Sequence, residues 1–118
     1  GTPGKYLNLD QQWDKNSLIQ VSFDLTTRVL EGGRSYPNFV AYRVGPQVLA
    51  IDQALNPQIK DLDQVTVRKP EGVNHIKTAL PPGWVGSQVF KTKAYYKNKP
   101  IELFLVPFAD AGDCCYLI

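Results

Sequence analysis

The chain carries one histidine, His75, in the stretch EGVNHIKTAL. A general base of that kind needs an orienting partner and a nucleophile within reach. Spacing supplies only Glu71, upstream across an expected turn, so His75 reads as a strand-end or surface histidine. Ser17, Ser22, Ser35 and Ser87 could each formally complete a Ser-His-Asp set. None stands in a Gly-x-Ser-x-Gly elbow, and VGSQV around Ser87 is not one. The carboxylates form two groups, Asp61 with Asp63 in KDLDQ, and Glu102 with Asp110 and Asp113 toward the end. Glycoside hydrolysis needs two carboxyls held across a sugar, and calcium needs more oxygen donors, and a loop glycine, than DLD supplies. These acids read as solvated turn charges. EGG and AGD lack a following helix to make a phosphate-binding loop. Cys114 and Cys115 are adjacent, too strained for a disulfide and too few for zinc, and read as plain thiols. No catalytic residue, metal or cofactor is expected within the chain.

The aromatic residues carry a different chemistry. An exposed indole or phenol ring offers a flat apolar face to the C–H face of a sugar, while neighbouring amides and carboxylates take the hydroxyls. Trp84, between Pro81-Pro82-Gly83 and Gly86, and Tyr36, in the loop EGGRSYPN, sit where binding residues collect on a β scaffold. Trp13 closes the stretch YLNLDQQW and has the same chemistry. The plainer reading is that Trp13 packs over a sheet edge and that Trp84 is structural. Tyr95 and Tyr96 in KAYYKNKP face opposite ways, with Asn98-Lys99 as the expected hairpin turn.

These residues must be positioned by one domain. A chain of 118 residues buries roughly two-thirds of its unfolded surface around a single core. Lys and Arg number 13 against 11 Asp and Glu, a net charge of +2, spread with no basic block, which excludes a nucleic-acid footprint built on clustered cations. No run approaches the roughly 18 apolar residues of a membrane span, and the N-terminus lacks a signal-peptide pattern. Gly1 in the first position, with no methionine anywhere, leads to the expectation that the chain is excised from a larger protein and begins on a tag remnant, so that its N-terminus does not report localisation.

Helical spacing is nearly absent, and short runs rich in Val, Ile, Tyr and Phe recur between turn signals. About ten strands are expected, in an all-β, jelly-roll-like β-sandwich. They are Tyr6–Gln12, Leu18–Asp24, Thr27–Leu30, Phe39–Val44, Val48–Asp52, Gln64–Arg68, His75–Thr78, Gln88–Ala94, Ile101–Val106 and Cys114–Leu117. DKNS joins the first two through a polar turn. In SLIQVSFDL, alternation places Ile19, Val21, Phe23 and Leu25 on one face, expected to be the core face. In NFVAYRVGPQVLAID, Gly45-Pro46 is expected to supply a bend or bulge between two strands.

Taken in order, GKYLNLDQQWDKNSLIQVSFDLTTRVLEG and FVAYRVGPQVLAID resemble the β-sandwich segment that follows the catalytic barrel in β-L-arabinofuranosidase-like glycoside hydrolases. Gly4, Tyr6, Leu7, Leu9 and Trp13 match its first strand. Ile19, Val21, Phe23, Arg28 and Val29 match the second, and Val40, Ala41, Arg43, Gly45, Pro46 and Val48 match its R-G-P strand pair. LVPFADAG, from Leu105 to Gly112, resembles the element that closes the sandwich. The chain departs at Val44, which separates Arg43 from Gly45-Pro46, at Leu25-Thr26-Thr27 in place of a Met-Pro step, and in the tail DCCYLI, which lacks a tryptophan.

The resemblance implies that chemistry belongs to a separate (α/α)6 barrel, with a cysteine nucleophile, a glutamate acid/base and a zinc held by cysteines and a glutamate. Cys114 and Cys115 match none of its cysteine motifs. The resemblance further implies a periplasmic or secreted parent. The expectation is a non-catalytic accessory domain, residues 1–118, whose partner is the barrel of the same parent. The alternative is a carbohydrate-binding module for plant-type polysaccharide, stacking sugar on Trp84, Tyr36 and Trp13. Arg43 is expected to pair with an acid at the sheet rim, Asp52 or Asp110.

Overall fold

The computed structural model describes residues 1–112. The chain is all-β. Its strands are β1 (Thr27–Glu31), β2 (Val40–Val44), β3 (Gln47–Ile51), β4 (Val65–Thr66), β5 (Asn74–Ile76), β6 (Val89–Tyr96) and β7 (Lys99–Pro107), with 3-10 turns at Leu62–Gln64 and Phe108–Asp110. They form one antiparallel sheet in the order β1-β2-β3-β7-β6-β4, with β5 beside β4 on the outer side of β6.

Two tight hairpins set the register. Val44 lies opposite Gln47, leaving Gly45-Pro46 as a two-residue loop. Gly45 has φ +55, the positive value that a hairpin with glycine at its first central position needs. The expected bulge is therefore a tight turn. In the second hairpin Tyr96 lies opposite Lys99. The loop is Lys97-Asn98, with φ 49 and 63, one residue earlier than the expected Asn98-Lys99. Two successive positive φ values match the right-handed twist of the strands they join.

Residues directly opposite one another share a face, so the registers place Tyr42, Val44, Leu49, Phe90, Ala94, Leu103 and Leu105 on one side of the sheet. All are buried, and with Ile59 and Val73 they make the core. The sheet rolls around this core until its two ends touch. Thr27 Oγ1 in β1 donates to the carbonyl of Val73, just before β5, at 3.4 Å.

The opposite face is buried at one end, at Val89 and Val106. There it is covered by loops: Ala54 and Leu55 from one and Leu80 and Pro81 from another gather around Phe104. A second sheet, which the expected sandwich requires, is not formed among the described residues. The expected strands Tyr6–Gln12 and Leu18–Asp24 do not form, and every residue from Gly1 to Thr26 is exposed. Among the described residues their backbone has no neighbouring strand to complete its hydrogen bonds, and alternation alone does not hold a strand. Only the turn between them is built: Asn16 N–H donates to Asp14 Oδ1 at 2.8 Å, and Ser17 N–H to the Asp14 carbonyl at 3.1 Å. The expected strand Cys114–Leu117 lies outside the described residues. The radius of gyration, 18.5 Å, exceeds the about 13–14 Å of a compact domain of this size, as an extended arm requires.

Candidate functional site

The N-terminal arm carries a run of exposed apolar side chains. Leu18 is 86% exposed, Val21 67% and Phe23 78%, and Tyr6, Leu7, Leu9 and Ile19 are open as well. The stripe expected to face the core, Ile19, Val21, Phe23 and Leu25, thus faces solvent. Leu25 reaches the sheet. Its Cδ2 lies 2.5 Å from where a β-carbon on Gly45 would stand, and Gly45 N–H donates to the Thr26 carbonyl at 3.2 Å. The arm is anchored at the β2–β3 turn through Leu25 and Thr26.

Beside that anchor, on the outer face of β1 and β2, Arg28 lies directly opposite Arg43. Arg43 was expected to pair with Asp52 or Asp110. Instead its Nε is buried without a hydrogen-bond partner among the described residues. Asp52 is turned to backbone N–H groups instead: Ala54 donates to Oδ1 at 2.8 Å and Gly112 to Oδ2 at 2.7 Å. Asp110 packs against Gly86, where a β-carbon would lie 2.5 Å from its Oδ2. Leu30 and Val48, on the same face of the sheet, are 42% and 47% exposed.

The three aromatic candidates stand on three different elements. Trp13 ends the first half of the arm and is 46% exposed; Tyr36, in the β1–β2 loop, is 68% exposed. Trp84, in the loop before β6, is half-buried, and its indole N–H is inside without an acceptor among the described residues. They share none of the cavities described here.

The titratable candidates are also apart. His75, in β5, packs edge-on against Phe90 with ring centroids 5.3 Å apart. Glu71 lines a different depression with Lys91 and Glu102, which pair with each other at 2.8 Å. Ser17 is spent on the Asp14 turn. Asp61 caps the first 3-10 turn, accepting from Asp63 N–H at 3.1 Å. Among the described residues no group of three metal-ligating side chains assembles.

Sequence reasoning missed Asn56, which is fully buried. Its amide donates to the carbonyls of Asp52 and Phe104 at 2.8 and 2.9 Å, and its oxygen accepts from Phe104 N–H at 2.9 Å. A loop asparagine before proline reads as turn chemistry, and nothing local marks it as a strand substitute. Comparison with family models, with curated proteins and with solved structures returns no match to the chain.

Proposed function

We propose that the chain is a non-catalytic β-sandwich accessory domain of an arabinofuranosidase-like glycoside hydrolase, and that the arm Tyr6–Leu25 is its docking strip. The observation that supports this is the exposed stripe Ile19, Val21 and Phe23, on a stretch with strand periodicity and no neighbouring strand among the described residues. Burying a Val or Phe contributes roughly 1.5–3 kcal/mol, and an unpaired strand offers a row of free N–H and C=O groups. Both favour a partner that adds a strand and covers the stripe. In this reading the parent's own strands complete the second sheet of the sandwich. Arg28 and Arg43, side by side with no ion-paired acid among the described residues, favour a partner carrying a carboxylate there. The arm residues are those that carry the resemblance to the segment following the catalytic barrel, and the periplasmic or secreted setting follows from the same resemblance.

The test is a calorimetric titration of the chain into an (α/α)6 barrel of that hydrolase group stripped of its own sandwich. Saturable binding, weakened at least tenfold by Val21→Ser with Phe23→Ser, is the expected result. Absence of binding would sink the docking reading.

A second reading, the carbohydrate-binding module, is favoured by one observation, the 68% exposure of Tyr36. It is weakened by Trp84, whose half-buried ring cannot offer a free face as Tyr36 does. A screen against arabinan, arabinogalactan and pectic oligosaccharides separates the two. Binding lost in Tyr36→Ala would establish the module.

A further inference from the structure

β1 ends the sheet, and among the described residues no strand pairs with its outer edge. The hydrogen bonds to β2 show which backbone groups stand at that edge. Gly45 N–H donates to the Thr26 carbonyl at 3.2 Å, and Gly32 N–H to the Phe39 carbonyl at 2.9 Å. Hydrogen-bonded positions alternate along an antiparallel pair, so Thr26, Arg28, Leu30 and Gly32 turn their backbone groups to β2. Thr27, Val29 and Glu31 turn theirs outward, as an unpaired edge that a further strand can take.

The arm enters β1 without a turn, since Thr26 already bonds to Gly45 and Leu25 packs against it. Carried upstream, the strand alternation gives Leu25, Phe23 and Val21 the same edge and the same face as Thr27, Val29 and Glu31. Asp24 and Ser22 share the face of Arg28 and Leu30. Consider the stretch from Val21 to Glu31 laid antiparallel on a copy of itself, with a two-fold axis at Thr26. Leu25 then falls opposite Thr27, and Phe23 opposite Val29, at hydrogen-bonding positions. Asp24 falls opposite Arg28 at a position of the other kind, where facing side chains come closest.

We propose that the arm and β1 form the interface of a homodimer, in which Val21 to Glu31 of two copies pair antiparallel about a two-fold axis at Thr26. Charge complementarity selects a second copy as the occupant. Arg28 and Arg43 lie opposite each other with no ion-paired acid among the described residues, and like charges so placed are destabilising. The pairing sets the partner's Asp24 in that row. Phe23, 78% exposed, gains Val29 as a neighbour. A two-fold interface makes every contact twice and closes at two copies. A single chain cannot make this pairing with itself, because Leu25 would meet Thr27 across one residue, and hairpin loops take two or more. The pairing displaces the Val73 carbonyl from the Thr27 hydroxyl, a hydrogen bond of 3.4 Å, and adds a row of backbone bonds. The stripe is the one assigned above to a barrel, but the dimer requires no barrel.

Analytical ultracentrifugation of the 118-residue chain over a concentration series is expected to show a reversible monomer–dimer equilibrium with no larger species. Asp24→Arg should weaken dimerisation at least tenfold. Adding Arg28→Asp to the same chain should restore it, because the facing charges are again opposite. Both residues are exposed, so neither change is expected to disturb the fold. The register is read with Thr26→Cys in a chain that also carries Cys114→Ser and Cys115→Ser. Mild oxidation should link two copies of that variant, since directly opposed β-carbons lie within disulfide reach. Ser22→Cys, away from the axis, should not link. A chain that stays monomeric to millimolar concentration overturns the proposal. A dimer indifferent to Asp24→Arg, or linked through Ser22→Cys and not through Thr26→Cys, overturns it as well. No barrel is present in these measurements, so their failure and that of the docking titration are read separately.

Discussion

Asn56 holds both backbone groups of Phe104, donating to its carbonyl and accepting from its N–H, at 2.9 Å each. The β3–β7 register, which pairs Ile51 with Leu105, would next set Asp52 opposite Phe104. The chain turns away there, and the Asn56 carboxamide fills the gap, donating also to the Asp52 carbonyl. One side chain satisfies three backbone groups that would otherwise be left without partners.

Asn56→Ala should therefore be among the most destabilising single substitutions outside the apolar core. Each stranded buried group is destabilising by about 1–3 kcal/mol, and a loss of at least ~3 kcal/mol in urea denaturation is expected. Asn56→Asp keeps the acceptor, loses the donor and sets a charge against two carbonyls. It should be at least as damaging at neutral pH, and a mild effect would show that the loop repacks.

Among the positive-φ glycines, Gly45 and Gly33 separate backbone strain from packing. Gly33, at φ +58, has open space where a β-carbon would stand, so Gly33→Ala should cost about 1–2 kcal/mol from the left-handed conformation alone. Gly45→Ala adds the displacement of Leu25 and should lower the melting temperature further. Equal losses would mean that Leu25 moves aside freely.

The Lys97-Asn98 turn places a lysine at φ 49, a conformation that favours Asn and Gly. The double substitution Lys97→Asn, Asn98→Gly should stabilise the chain by about 1 kcal/mol, read from thermal unfolding. No gain would assign a compensating role to the Lys97 ammonium, which lies over the Tyr96 ring at 5.4 Å.

Arg28→Glu replaces a like-charged cross-strand pair with an opposite one and should stabilise by roughly 0.2–1 kcal/mol, less at high salt. The same change should weaken docking to an acidic partner surface. A gain in stability with docking unchanged would remove the two arginines from the interface.

Much of the sheet was legible in the sequence because its strands pair with one another. The stretches beginning at Thr27, Phe39, Val48, Gln88 and Ile101 fall on β1, β2, β3, β6 and β7 within a residue or two. Gln64–Arg68 shrinks to Val65–Thr66 because Leu62–Gln64 winds into a 3-10 turn capped by Asp61. Leu18–Asp24 has the cleanest alternation in the chain and forms no strand, since periodicity reports which side chains could be buried together and not whether a neighbour is present. Arg43 was misread for a related reason. The sequence contains acids that could reach it, but the folded chain commits Asp52 to backbone N–H groups.

The contact between Thr27 and Val73 joins residues 46 apart through one 3.4 Å hydrogen bond, whereas β6 and β7 meet along seven paired positions across a two-residue loop. Local pairings form early and distant ones late. The long hairpin should therefore gain order first, and the seam should close last and open first. In native-state hydrogen exchange the amides flanking Thr27 and Val73 would then trade deuterium through openings well short of complete unfolding. Val44 and Phe90, core residues that line the depression along that seam, would then meet water through the weakest joint of the sheet.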